Sequence, residues 1–398
     1  MRVLIAGHTY YPSLNGIATF MVNLAEGLAG RGHQVVVLFP KDHAISEIRN
    51  GVRIETFRAM RTEFIHPETF LPLPSGKIRW IFESFQPEIV HVQDQTPVSW
   101  WVVRQARRRG IKVIGTNHIG PANLAPYIPG SAHMQPWLDK ILWTWILGLY
   151  RQVDLVTAPS EAAVNALRVQ GLPPHIPAVV VSCGTNLGRF HPDPNLDRRA
   201  CRAEYGLHPD RALFIYVGRV DPEKKLELLL RAMALLKRDD IQLAIAGRGR
   251  ETSKLQKLAE TLGLEDRVRF LGFIPNERLP RLLNSADVFA MAGEAETLSL
   301  ASLEAMACGL PLLLPDVFAM KELYTSEVNA LLFKSGDPRE AARCMEFLLG
   351  QREHWPEMGQ ASLEKVQPHS LDIVLHNYET LYRQMLEPTS RTPASAVN

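Results

Sequence analysis

The feature that most constrains this chain is an alternation of short apolar runs and amphipathic stretches that runs once, breaks off and starts again. Arg2 to Ala6 reads as a buried strand and His8 to Gly16 as a polar loop. Ile17 to Ala29 reads as a helix closed by Gly30 and Gly32, and Gln34 to Phe39 as the next strand. A strand, a helix and a second strand at that spacing form a crossover unit and imply a parallel sheet. Further strands are expected at Ile89–Val92, Lys112–Gly115 and Leu155–Ala158, with helices at Val98–Arg109 and Pro136–Arg151. A polar, proline-bearing stretch from Pro192 to Pro209 reads as a linker, and then the pattern resumes. Strands are expected at Ala212–Val217, Ile241–Ala246, Val268–Phe270, Asp287–Met291 and Leu310–Leu314. Helices at Lys224–Leu236, 251–262, 276–285, 300–308 and 338–349 alternate with them. The 398 residues leave room for two such units. The expected fold class is α/β, with one parallel-sheet domain over 1–190 and a second over 191–370. A helix over 371–387 is expected to pack back on the first domain, ahead of a disordered Pro/Ser/Thr-rich tail, 388–398.

Charge and cysteine content narrow the function classes. The net charge is +2, so no global basic field marks a nucleic-acid binder. Residues 1–186 carry +5 and residues 187–398 carry −3, which matters if the first half meets an anionic surface. Cys183, Cys201, Cys308 and Cys344 have spacings that fit no zinc or CxxC pattern. Four thiols in a chain this long do not make a disulfide scaffold, and a cytoplasmic setting is expected. The N-terminal apolar stretch is too short for a signal peptide. The most apolar run, Ile141 to Tyr150, is too short to span a bilayer.

In open parallel sheets, ligands bind in the loops at the carboxyl ends of the strands. Those loops hold the chemically unusual residues here. Gly293-Glu-Ala-Glu296-Thr-Leu-Ser-Leu-Ala-Ser-Leu-Glu304-Ala-Met-Ala-Cys-Gly-Leu-Pro311 places Glu296 in a loop after a strand and Glu304 in the following helix. Backbone amides of Leu298, Ser299 and Leu300 at that helix start suit a phosphate. Carboxylates on either side can accept hydrogen bonds from sugar hydroxyls. The residues alone also allow two ordinary helix-start acids.

Glu-x7-Glu followed by Ala-Met-Ala-Cys-Gly-Leu-Pro resembles family 4 glycosyltransferases, the retaining GT-B group that uses nucleotide-sugar donors. Tyr216-Val-Gly-Arg219-Val-Asp-Pro-Glu-Lys224 is similar to that family's diphosphate-binding segment, and Cys183-Gly184 through Phe190-His-Pro192 to its interdomain segment. Pro12-Ser-Leu-Asn15-Gly16 is similar to its N-terminal glycine loop, and Pro159-Ser-Glu to the end of its last N-domain strand. The resemblance covers nearly the whole chain and implies two Rossmann-like domains facing one cleft.

It also implies roles. Glu304 would bind the nucleotide ribose, Glu296 the donor sugar, and Arg219 and Lys224 the diphosphate. Gly16 would let backbone approach the diphosphate. His118 would stand beside the reacting sugar. From the residues alone, Arg219 and Lys224 also fit a surface network with Asp221 and Glu223. His118 also fits a structural histidine. Asp94 is a candidate acceptor contact or a cap for the helix that follows. Four positions depart from the family pattern: Ser299 and Lys225 replace glycines, Asn186 replaces an aspartate, and Gly247-Arg-Gly-Arg250 replaces Gly-Asp-Gly-Pro.

His118-Ile-Gly-Pro121-Ala-Asn123-Leu resembles a segment of bacterial diacylglycerol glucosyltransferases, with Ala122 where they have glutamate. That resemblance makes Asn123 an acceptor candidate, UDP-glucose the favoured donor and a lipid such as diacylglycerol the expected acceptor. The protein would then sit peripherally on the inner face of the cell membrane. Pro136–Arg151, apolar nearly all round, is either a helix packed on the sheet or a tryptophan-rich surface for the bilayer interface. The family's mechanism is metal-independent, with no cofactor and no metal site expected. Other readings remain open: a soluble acceptor, a nucleotide-sugar epimerase or a sugar-binding module. A nicotinamide enzyme is disfavoured because no GxGxxG follows a strand.

Overall fold

A computed structural model describes residues 1–13, 15–62, 69–72, 76–125, 128, 131–325 and 327–387. The expected tail, 388–398, lies outside the described residues. The first sheet contains β1 (Arg2–Ala6), β2 (Gln34–Lys41), β3 (Ser46–Arg49), β4 (Val52–Thr62), β5 (Thr69–Pro72), β6 (Ile89–Val92), β7 (Lys112–Thr116), β8 (Leu155–Ala158) and β9 (Ala178–Val180). Their order is β3-β4-β2-β1-β6-β7-β8-β9, with β5 paired to β4. Pairings are parallel except β3 and β5 against β4. The second sheet contains β10 (Ala212–Val217), β11 (Ile241–Ala246), β12 (Val268–Gly272), β13 (Val288–Ala290), β14 (Leu312–Pro315) and β15 (Ala330–Phe333). It is parallel throughout, in the order β12-β11-β10-β13-β14-β15. This is the doubly wound order, and its direction reverses between β10 and β13.

The central strands are apolar on both faces because helices cover both sides. All six residues of β11 are buried, as are the last four of β1. The two domains are joined twice. Thr185 bridges to Ser370 between the crossing segments, with Thr185 N–H donating to His369 O at 2.9 Å and Leu371 N–H to Thr185 O at 2.8 Å. Helix Leu371–Leu386 then lies on the first domain. Leu375 packs where a Cβ on Gly27 would stand, Arg31 and His33 bond Glu379 at 2.8 and 2.7 Å, and Tyr382 bonds the buried His91 ring at 2.7 Å.

Three local differences from the sequence reading have physical causes. The expected linker contains a helix, Arg198–Glu204, capped by Asp197. It is held to the second domain by buried Arg202, which pairs with Asp287 at 2.8 Å and bonds three backbone carbonyls. Those anchors are polar, so no apolar periodicity announces them. The expected Lys224–Leu236 helix begins later, at Glu227, because Pro222–Lys224 forms a 3-10 turn and Lys225 adopts a left-handed conformation, φ 49°. Glycine tolerates that conformation best, which is why Lys225 departs at some cost from the family's residue. Helix Ser131–Tyr150 is amphipathic in place: Leu138, Leu142, Ile146 and Tyr150 are buried, while Trp137, Ile141 and Trp145 are exposed.

Candidate active site

The reversal between β10 and β13 opens a crevice at the carboxyl edge of the second sheet. The loop after β10 carries Arg219 and Lys224, and the loop after β13 carries Glu296. Close approach of the strand ends shapes this edge: a Cβ on Gly247 would lie 1.7 Å from Gly218 O, and both residues have positive φ. Lys224 Nζ donates to Glu296 Oε1 across the crevice. Arg219 donates to Asp221 and Glu223, so the surface-network partners weighed from sequence are present, but at a strand end with both acids buried.

Ser299 caps helix Leu300–Ala307: its Oγ accepts from Ser302 N–H at 3.2 Å. The residue that replaces the family's glycine therefore also holds the helix start. Leu298 is buried beneath it, and the first-turn amides are directed outward, as at any helix N-terminus. Glu304 lies half-buried one turn on. Among the described residues its carboxyl accepts no hydrogen bond. Burial pushes that carboxyl up to about 7, with Arg189 pulling weakly the other way. A carboxyl in such a place lacks the partners that normally accompany burial, and two hydroxyls of a diol could supply them.

The first sheet has its own reversal, between β1 and β6. Asp94, just past β6, is buried. Its Oδ1 accepts from Thr96 N–H and Ser99 Oγ–H, both at 2.9 Å, and its Oδ2 accepts from His8 N–H at 2.6 Å and His8 Nδ1 at 2.8 Å. Burial raises that carboxyl, but His8 and the hydrogen bonds from His8 and Thr96 outweigh it and hold it at about 2. His118 follows β7. Its Nε2 lies 3.0 Å from Gln93 Oε1 and its ring packs edge-on against Phe20. Burial, helped by His8 and opposed by Asp94, holds the His118 imidazole down at about 4, so it is neutral at pH 7.

The two edges meet. Thr297 Oγ donates to His118 O at 2.9 Å, Ser160 Oγ donates to Thr297 O at 2.6 Å, and Asn123 Nδ2 donates to Ala295 O. Glu322 accepts from Glu161 N–H and Ala162 N–H at 2.9 and 2.8 Å, capping an N-domain helix from the other domain. The Glu296 loop is thereby docked beside His118. A cavity of about 430 Å³ lies against Glu296 and Thr297, walled by Ala162, Ala163 and Ala166.

Two expected acceptor contacts are already engaged. Every hydrogen bond of Asp94 is internal, and the Asn123 amide bonds Gly120 N–H with its oxygen and Ala295 with its nitrogen. Gly16 begins helix Gly16–Gly30, and a Cβ there would meet nothing within 4 Å, so protein packing does not demand the glycine. His8 was missed from sequence. A polar residue just past β1 was the available signal, but its partner lies 86 residues away. Among the described residues, no cluster of metal-ligating side chains occurs.

The Glycosyltransferase Family 4 model matches residues 14–189 and the Glycosyl transferases group 1 model matches residues 197–365. The chain is 26% identical to the GDP-mannose-dependent alpha-mannosyltransferase of Mycobacterium tuberculosis, covering 96% of this chain and 97% of that one. It is 25% identical to the alpha-monoglucosyldiacylglycerol synthase of Streptococcus pneumoniae, covering 92% and 81%. The sucrose-phosphate synthase structure from Thermosynechococcus elongatus superposes with a TM-score of 0.81 at 23% identity, covering 96% and 98%. With one family model matched on each of the two domains, the chain belongs to the family 4 glycosyltransferases of GT-B architecture.

Proposed function

We propose that this enzyme transfers a hexosyl group, with retention, from a nucleoside diphosphate sugar to a lipid hydroxyl at a membrane surface. The observation that carries the donor half is the convergence of Arg219, Lys224 and Glu296 at the β10/β13 reversal, with the Glu304 carboxyl one turn into the helix that follows the Glu296 loop. As the glycosidic bond breaks, negative charge builds on the leaving diphosphate. Arg219, Lys224 and the amides of Leu298, Ser299 and Leu300 stabilise it, doing without a metal. Gly16 leaves room for the diphosphate on the facing wall. Glu304 accepts from the ribose hydroxyls. Glu296 accepts from sugar hydroxyls once the donor draws Lys224 away. His118, neutral and beside the Glu296 loop, hydrogen-bonds the sugar.

The acceptor half rests on the first domain's surface. Five of the seven tryptophans, Trp100, Trp101, Trp137, Trp143 and Trp145, lie on the adjacent helices Pro97–Arg108 and Ser131–Tyr150. Trp137, Ile141 and Trp145 form an exposed stripe at helical spacing. Exposed Arg107, Arg108 and Arg109 end the neighbouring helix. Amphipathic aromatics with basic residues suit an anionic bilayer interface on the inner face of the cell membrane. The name of the Streptococcus pneumoniae relative points the same way. UDP-glucose is the donor favoured by the resemblance to diacylglycerol glucosyltransferases. GDP-mannose is the second reading, favoured by the name of the Mycobacterium tuberculosis relative.

The deciding experiment incubates the protein with UDP-glucose, GDP-mannose and other nucleotide sugars, with and without diacylglycerol vesicles, and reads products by mass spectrometry. A glycolipid formed only with vesicles supports the reading. A glycosylated soluble sugar removes the lipid acceptor, and an epimerised donor with no acceptor removes the transferase.

A further inference from the structure

We propose that Lys225, tied to Glu294, is a positioning residue that keeps the loop of Arg219 and Lys224 in register with the loop of Glu296 while the donor is bound. The proposal rests on the donor reading above and adds to it the contact that holds the two cations in place. Two ties run side by side here. Lys224 donates to Glu296 and Lys225 donates to Glu294, so consecutive residues after β10 reach alternate residues after β13. Under the proposed function the first tie is given up when a diphosphate draws Lys224 away. The second stands outside that exchange. Glu294 is also held from a third loop: Ser335, after β15, donates to its Oε1 while Lys225 holds its Oε2. One carboxylate therefore joins the loops that follow β10, β13 and β15.

The surroundings make this tie matter. Where the two loops touch, their backbones are close: a Cβ on Gly293 would lie 3.3 Å from Glu223 O and 3.5 Å from Lys224 Cα. Beyond that contact, space opens on both sides. Lys225 borders a cavity of about 480 Å³ that is also walled by Arg231, Lys254 and Pro338. Glu294 borders the cavity of about 430 Å³ that reaches Glu296. The pair stands between the two. Packed interiors fix their parts by contact, and with a cavity on either side these loops depend more on the polar tie.

The backbone points the same way. Lys225 has a φ of 49°, in the left-handed region where a Cβ costs conformational energy and glycine costs none. Local backbone stability alone favours glycine at this position. What a lysine adds in return is the reach to Glu294. Lys225 does not touch the donor in this reading. It acts through its chain neighbour Lys224, whose ammonium must meet the diphosphate as charge builds there.

The test uses the full-length enzyme with the donor that the panel identifies. Lys225→Gly removes the tie and relaxes the backbone, so it should melt at or above wild type. Lys225→Met removes the tie but keeps the side-chain stem and the left-handed strain. Both should lower kcat at saturating donor about 10-fold, between the few-fold worth of an exposed ion pair and the 100-fold that a misplaced reacting group can cost. Donor KM should change less than kcat, because Lys224 matters most in the transition state, and acceptor KM should not change. Glu294→Gln should lose as much as Lys225→Gly, and the double variant no more than either alone. Lys225→Arg should restore most of the rate, since a guanidinium can still reach Glu294. A Lys225→Gly enzyme with wild-type kcat, additive losses in the double variant, or rates that follow melting temperature across the variants overturns the proposal alone, provided calorimetry shows that wild type binds UDP or GDP. A wild type that binds neither overturns the donor reading and the proposal with it.

Discussion

Lys224 and Glu296 pair across the β10/β13 crevice, so under the proposed function a bound donor would exchange that pair for its own contacts. In the proposed reaction a diphosphate would offer Lys224 a better partner than a single carboxylate, and the exchange would release Glu296 toward the sugar. Lys224→Ala should lower kcat about 100-fold or more, the usual cost of removing one group that stabilises developing charge. Arg219→Ala should behave alike. Steady-state kinetics on both variants checks this, and near-normal kcat in both would leave the two cations as a surface network only.

Those same cations bear on metals. With Arg219, Lys224 and a helix start on the diphosphate, turnover should persist in excess EDTA. Activity that vanishes and returns with added Mg²⁺ would show that the cations do not suffice.

The ribose role proposed for Glu304 would link nucleotide binding to pH. Its carboxyl is raised from 4.5 to about 7 by burial, and a ribose diol needs the ionised form as acceptor. Affinity for a free nucleoside, which has no phosphate to titrate, should therefore rise from pH 6 to pH 8. The slope should not exceed tenfold per pH unit, since one proton is involved. Glu304→Gln should abolish the slope and weaken binding at pH 8 by about 1.5–3 kcal/mol, the range for a hydrogen bond to a charged group. The stability sign is opposite. A raised acid makes the native state bind more protons, so stability falls as pH rises from 4.5 through 7. The ligand-free Gln variant should melt higher than wild type at pH 8 and about equally at pH 5. Calorimetry and melting curves at the two pH values test both halves.

The readable parts of this protein were those whose signal is local. Strands β1, β10 and β11 are unbroken apolar runs, and Glu296 and Glu304 announce themselves by spacing within a single loop and helix. β4 was not readable because Arg53, Glu55 and Arg58 interrupt it, and only the fold shows that buried Glu55 is met by Arg53 and Lys77. His8 and Asp94 become a pair only when β1 and β6 lie side by side. Asn123 became an acceptor candidate through the resemblance of its segment, whereas its bond to Ala295, in the other domain, shows only in the fold.

The cross-domain cap on helix Glu161–Val169 gives a fourth prediction. Glu322 accepts two backbone N–H groups there, while Ser160 caps the same helix from within. Glu322→Ala should cost about 0.5–2 kcal/mol, as lost helix caps do. Because this contact joins the domains, its loss should favour an open cleft. A larger radius of gyration by solution scattering, reversed by saturating nucleotide sugar, is the expected result. An unchanged radius with unchanged donor KM would mean the contact does not hold the cleft.

The membrane reading separates into an apolar and an electrostatic contribution, and each can be removed alone. Trp137, Ile141 and Trp145 lie two turns apart in total on the exposed side of one helix, while Leu138, Leu142 and Ile146 are buried against the domain. The exposed set lies outside the buried core, so replacing it should not unfold the protein. Arg107 reaches Gln152 O at 3.2 Å, which puts the arginine cluster beside the carboxyl end of that helix. Trp137→Ser with Trp145→Ser should weaken sedimentation with neutral and anionic vesicles alike, because aromatic insertion does not depend on lipid charge. Substituting Arg107, Arg108 and Arg109 with glutamine should weaken it only on anionic vesicles, by about 1 kcal/mol per charge, and should remove the salt sensitivity. Nucleotide affinity should stay unchanged in both, since the substitutions lie outside the donor site. If the tryptophan variant sediments like wild type, the stripe does not touch the bilayer. If the arginine variant also does, the charge imbalance between the two halves has no bearing on where the enzyme works.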